Sequence, residues 1–144
     1  MRRACARLLT IALPLSFIWE VLQAPAFTGL PRTWSARAAL CVVAAVGDGL
    51  LVLALFALGS RLFGGAQWVR PPRAGRYLAL VLVGIVVQGA IEWLAVDRLG
   101  LWRYEAGHPT LPLTGTGLLP ILYAVVVVPL AFWLLARWQR NETP

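Results

Sequence analysis

Lysine is absent from this sequence, and histidine occurs only once. Charged residues make up 13% of the 144 positions, whereas hydrophobic residues make up 60%, and the mean hydropathy is +0.75. Soluble domains carry about 25% charged residues, and a chain of this length buries only part of its apolar surface. The composition therefore excludes an ordinary soluble domain and predicts a single transmembrane domain over residues 1–144.

Residues that bind metals or form disulfides are also scarce. The two cysteines, Cys5 and Cys41, fall on opposite sides of the membrane in the topology derived below, and they lack metal-ligand spacing. His108 lies in a loop, and no spacing joins it to the acidic residues as a ligand set. We therefore expect no disulfide, no metal site and no cofactor.

The basic residues are all arginine, and they give the chain a net charge of +7. A nucleic-acid-binding protein would present such charge as a stripe on a soluble face. Here the arginines lie at the termini and between apolar runs, where flanking charge sets the orientation of a membrane protein. We expect no nucleic-acid partner.

Four apolar runs are long enough to cross about 30 Å of hydrocarbon at about 1.5 Å per residue. They predict an all-α, integral membrane four-helix bundle with spans at about residues 8–28, 38–60, 77–96 and 117–136. The first run also imitates a signal peptide that ends in Ala24-Pro25-Ala26. Because Trp19 and Glu20 interrupt the region before that cut, we expect the span to be retained.

The arginines predict that both termini lie inside the cell. Nine lie on one side of the predicted spans: Arg2, Arg3, Arg7, Arg61, Arg70, Arg73, Arg76, Arg137 and Arg140. Four lie on the other side: Arg32, Arg37, Arg98 and Arg103.

Three acidic residues lie inside the spans, namely Glu20, Asp48 and Glu92. An acidic side chain at a helix centre costs about 2.5–3.5 kcal/mol and normally marks function. Counting the helical rise places Glu20 and Glu92 in the outer half of the bilayer and Asp48 near its midplane. We predict these three acids as the catalytic residues of a polar pocket. Either they are protonated or a loop arginine reaches them, and Arg103 is expected to point inward.

Further side chains are predicted to bind a ligand beside these acids. Gln23 shares a helix face with Glu20, and Gln88 shares one with Glu92, while the loop over residues 97–116 would bring others to the outer mouth. The candidate ligand-binding residues are Gln23, Gln88, Trp93, Trp102, Arg103, Tyr104 and His108. The alternative is that the polar side chains only join helices, at about 0.6–2 kcal/mol per contact.

Several segments resemble a widespread family of small bacterial four-span membrane proteins. They are Trp19-Glu20-Val21-Leu22-Gln23-Ala24-Pro25, Gly47-Asp48, Glu92-Trp93, Gly100-Leu101-Trp102-Arg103-Tyr104, and residues 109–120. The resemblance covers nearly the whole chain, implies the fold and a place in the bacterial inner membrane, and leaves the activity open. The chain departs from the family pattern at Leu122-Tyr123, where a glutamine is expected, which puts a polar role of the fourth helix in doubt.

A weaker likeness joins the pattern Glu92, Trp102-x-Tyr104, Gly117 and Pro120 to membrane enzymes of carotenoid biosynthesis. These include the small lycopene cyclase subunits and the bisanhydrobacterioruberin hydratases, and the likeness implies intramembrane carboxylates that act on long isoprenoids. The adjacent Glu-Glu pair of the cyclases is missing, because Ile121 and Leu122 follow Pro120.

The leading hypothesis is a pocket that binds or converts a lipid- or isoprenoid-like molecule. The alternatives are a proton-coupled transporter of small solutes, in which Asp48 or Glu92 carries the proton, and an accessory subunit of a membrane complex. The expected partner is a membrane lipid or hydrophobic small molecule. Enzymatic activity and assembly into a homo-oligomer are left open.

Overall fold

A computed structural model describes residues 1–141 as a bundle of four long helices. They are α1 (Arg2–Gln23), α2 (Trp34–Leu62), α3 (Ala74–Trp93) and α4 (Leu118–Arg140). A 3₁₀ turn, Ala24–Ala26, continues α1, and a π-helical turn, Leu94–Arg98, continues α3. All four are long and apolar enough to cross a bilayer, and they pack against one another. The predicted all-α membrane bundle is confirmed, and the chain is a multi-pass membrane protein.

The helices extend beyond the predicted spans mainly at one end of the bundle. There α1 begins at Arg2, α3 begins at Ala74 and α4 continues to Arg140. Arginine, alanine and leucine favour helix, so the helices continue past the hydrocarbon. We call this the arginine-rich end, and the opposite end, which carries residues 24–33 and 94–117, the hairpin end.

The arginine-rich half of the bundle is closed by an aromatic core. Trp68, from the loop between α2 and α3, is 2% exposed and lies 5.1 Å from Phe132, ring centroid to centroid. Its indole N–H donates to the carbonyl of Phe56 at 3.2 Å. Gly59 makes room for the indole, because a Cβ there would lie 2.6 Å from the ring. The buried side chain of Trp68 thus holds α2 against α3 and α4 in that half of the molecule.

The four helices do not pack on one another to the same extent. Helix α1 packs on α2 and α4, and α3 packs on α4, whereas the contact between α2 and α3 is slight. A short antiparallel pair of strands lies across the hairpin end, formed by β1 (Phe27–Thr28) and β2 (Arg103–Tyr104). Phe27 pairs with Tyr104, and Thr28 pairs with Arg103. The pairing holds the loop before α4 over the bundle.

Candidate functional site

A cavity of about 570 Å³ lies at the hairpin end, between residues of α1, α2, α3 and α4. Glu20 of α1, Asp48 of α2 and Glu92 of α3 all line it. The three acids reach the same place because α1 and α3 end at the hairpin end, whereas α2 begins there and brings Asp48 in from its middle. The structure therefore brings together the three residues that the sequence selects as catalytic.

Glu20 and Asp48 belong to a chain of polar contacts that crosses three helices. The indole N–H of Trp19 donates to Gln23 Oε1 at 3.1 Å, and Gln23 Nε2 donates to Glu20 Oε1 at 2.6 Å. The carboxyl groups of Glu20 and Asp48 lie next to each other, and Gln88 Nε2 donates to Asp48 Oδ1 at 3.1 Å. Polar side chains of α1, α2 and α3 thus meet along this side of the cavity.

Glu92 is 3% exposed and is held by the loop that covers the hairpin end. Trp102 Nε1 donates to Glu92 Oε1 at 3.1 Å, and the Tyr104 hydroxyl donates to the same oxygen at 2.8 Å. The Tyr104 hydroxyl in turn accepts the backbone N–H of Gly117 at 2.7 Å, just before α4 begins. Burial raises the pKa of the Tyr104 hydroxyl above its usual range, and the hydrogen bond to Glu92 is the second cause of this rise. Tyr104 thus remains a protonated donor.

The extended conformation of β2 determines which side chains of the loop face the acids. Side chains alternate between the two faces of an extended chain, so Trp102 and Tyr104 point the same way and Arg103 points the other. Arg103 is exposed at the surface. The prediction that Arg103 points inward to Glu20 or Glu92 is therefore wrong, and two neutral donors take the place expected of the cation.

The remaining candidate residues lie outside the cavity. Trp93 follows Glu92 in the helix and is turned to the surface, where the Arg98 guanidinium lies 4.8 Å from its ring centroid. His108 stacks on the ring of Tyr104 with centroids 4.4 Å apart, and its Nδ1 lies 3.1 Å from the Ala26 carbonyl. Among the predicted ligand-binding residues, the cavity lining includes Gln23, Gln88 and Trp102, and it does not include Trp93, Arg103, Tyr104 or His108.

Tyr123 lines the cavity and is a residue that the sequence reasoning missed. It is completely buried, its hydroxyl is hydrogen-bonded to that of Ser16 at 2.7 Å, and its ring meets Trp19 edge-on at 6.2 Å. Helix α4 thus contributes a hydroxyl-bearing side chain to the lining of the cavity. Its signal in the sequence is a lone tyrosine in an otherwise apolar run, on a helix whose rotation the sequence leaves undetermined.

The mouth of the cavity is apolar and opens on the side of the bundle. Four lining residues are exposed large hydrophobics, Leu40 and Val43 of α2, Ile91 of α3, and Leu101. Gly47 lies beside them, and a Cβ built on it would meet no atom within 4 Å. In a membrane these residues face lipid, so the opening leads from the acyl chains to the carboxyl groups.

The cavity has no basic side chain among its lining residues in the part of the chain that the structure describes. Within residues 1–141, no group of three His, Cys, Asp or Glu side chains is arranged to hold a metal ion. The polar side chains of the cavity lining thus carry carboxyl, amide, hydroxyl, indole and thiol groups.

Comparison of the chain with family models, with curated proteins and with solved structures gave no match. The family resemblances of the sequence therefore remain predictions.

Proposed function

We propose that this protein binds a hydrophobic, lipid-like molecule in the cavity at the hairpin end. The observation that carries the proposal is the combination of a carboxyl-lined floor with an apolar mouth on the lipid-facing side. Binding sites for small molecules are mostly apolar, with a few placed polar groups that orient the ligand. This cavity has that composition, and a ligand dissolved in the bilayer enters it without crossing water.

The hydrocarbon part of the ligand is placed between Leu40, Val43 and Ile91, which are lining residues and are exposed. Its polar group is placed at Glu20, Asp48 and Glu92. A carboxyl group that carries a proton can donate it to a double bond or leaving group, so conversion of an isoprenoid-like molecule fits the same site. The arginine distribution supports an orientation in which the cavity lies in the outer leaflet, and the membrane proposed is a bacterial inner membrane.

The aromatic core favours binding or conversion over transport. Trp68 and Phe132 fill the bundle toward the arginine-rich end, so the cavity ends midway. A transport cycle would have to separate these rings, whereas entry and release through the lateral mouth need no such change.

The proposal is tested with a photoactivatable probe, a long-chain alcohol that carries a diazirine in its chain. Irradiation of the protein in liposomes should label the segment that contains Leu40 and Val43. In Gly47→Leu the new side chain occupies open space in the cavity, so labelling of that segment should fall by about tenfold.

The matched control is Gly89→Leu, which makes the same change at another open helical position outside the cavity lining. It should label like the wild-type protein. Equal labelling of the two variants would show that the alcohol contacts only the outer surface, and the proposed function would be abandoned.

A further inference from the structure

We infer that the molecule bound in this cavity carries a positive charge, as a protonated amine or quaternary ammonium group attached to hydrocarbon. The inference rests on the proposed function and specifies its ligand class. It follows from the three carboxyl groups that line the cavity, from the lack of a basic side chain among the described lining residues, and from the aromatic side chains beside the acids.

Glu92 is the most deeply buried of the three acids. The residue is 3% exposed, and it lines the cavity. Both donors, Trp102 and Tyr104, bind Oε1, so neither uses Oε2. Neutral donors orient a carboxylate without cancelling its charge, and a charge without a counter-ion is costly within the hydrocarbon. A cation in the cavity supplies that counter-ion.

The arginines of the hairpin end do not supply it. The guanidinium of Arg37 donates to the carbonyl of Pro31 at 3.4 Å, and that of Arg98 lies over the ring of Trp93. Arg32 and Arg103 are exposed. All four arginines lie outside the lining of the cavity, whereas Glu20 and Asp48 belong to that lining together with Glu92.

Aromatic rings complete a site for an organic cation. Phe27, Trp102 and Tyr123 line the cavity beside the acids, and the faces of such rings attract cations, ammonium groups included. The apolar mouth selects a cation that carries hydrocarbon over a small hydrated ion. An anionic ligand would be repelled by every ionised carboxyl group in the lining. A neutral alcohol would form hydrogen bonds there, but it would lack the attraction between opposite charges.

The experiment compares three competitors of equal chain length against the photoactivatable alcohol in liposomes. They are decylammonium, 1-decanol and decanoate, each corrected for its measured partition into the membrane. We expect decylammonium to displace the probe at a concentration at least about tenfold lower than decanol, with decanoate weakest. In Glu92→Gln the advantage of decylammonium over decanol should shrink to about twofold or less, while decanol still competes.

Asp97→Asn is the matched control, because it removes one negative charge from an exposed position at the same end, and it should keep the full preference. If Glu92→Gln does not fold, Asp48→Asn serves as the second variant with the same expectation. Equal competition by decylammonium and decanol in the wild-type protein would overturn the inference and leave the proposed function standing. Failure of all three to compete would instead count against the proposed function.

Discussion

Tyr104 links the buried acid Glu92 to the start of α4. Its hydroxyl donates to Glu92 Oε1 at 2.8 Å and accepts from the backbone of Gly117 at 2.7 Å. Gly117 permits this approach, since a Cβ there would lie 2.7 Å from the tyrosine ring. The imidazole ring of His108 stacks on the ring of Tyr104, with the two ring centroids 4.4 Å apart. A single side chain thus holds the acid and the covering loop together.

We expect Tyr104→Phe to lower the free energy of unfolding by about 1–3 kcal/mol, because it leaves the Gly117 N–H without its acceptor and removes a donor from Glu92. Tyr77→Phe is the control, since the Tyr77 hydroxyl makes one long contact of 3.4 Å with the Val69 carbonyl. Its effect should be under about 1 kcal/mol. Denaturant unfolding in detergent measures both. A loss for Tyr104→Phe no larger than that of the control would show that the link is not structural.

At the scale of the elements, α2 plays different roles along its length. Near its end Gly59 lies against Trp68 and Leu80, and in its middle Gly49 lies against Leu13 of α1, with built Cβ distances of 2.6–2.8 Å. Gly47, between these contacts and the helix start, meets open space. One helix therefore closes the aromatic half of the bundle and forms a wall of the cavity in the other half.

Gly59→Ala should destabilise the protein by about 1–3 kcal/mol, because the added methyl group overpacks the aromatic core. Gly89→Ala should be neutral or stabilising by up to about 1 kcal/mol, since its methyl group meets open space and alanine favours helix. Thermal unfolding in detergent compares the two. If both variants unfold like the wild type, Trp68 must repack freely, and the closed core assigned here would be wrong.

The elements also show which features could be predicted from the sequence. The four helices follow from long apolar runs, and the approximate depth of Glu20, Asp48 and Glu92 follows from the rise of a helix; both are local properties of the chain. The direction of Arg103 is not local, because it depends on the pairing of Phe27 with Tyr104, which are far apart in sequence. The place of Tyr123 likewise depends on how α4 is rotated in the bundle.

At the scale of the whole molecule, the two ends of the bundle differ in charge and in packing. The arginine-rich end carries nine arginines over an aromatic core, and the hairpin end carries four beside an open cavity. The bias in arginine predicts that the hairpin end faces outward, which would place the cavity in the outer leaflet.

Cysteine labelling checks this orientation in intact cells. With Cys5 and Cys41 replaced, Ala106→Cys at the hairpin end should react with a membrane-impermeant reagent, and Gln67→Cys at the arginine-rich end should react only after the cells are opened. Ala106 and Gln67 are both exposed in the native protein. The reverse pattern would invert the orientation and move the cavity to the inner leaflet.

The central claim is that the cavity holds a hydrophobic molecule that enters from the lipid. The most direct measurement is a crystal structure grown in a lipid phase with 10-bromodecanol, in which anomalous scattering locates the bromine atom. We predict a bromine peak at the mouth, between Val43 and Ile91, with density for the chain leading to Asp48 and Glu92. Bromine found only along the outer surface of the helices, with the cavity filled by water, would contradict the account.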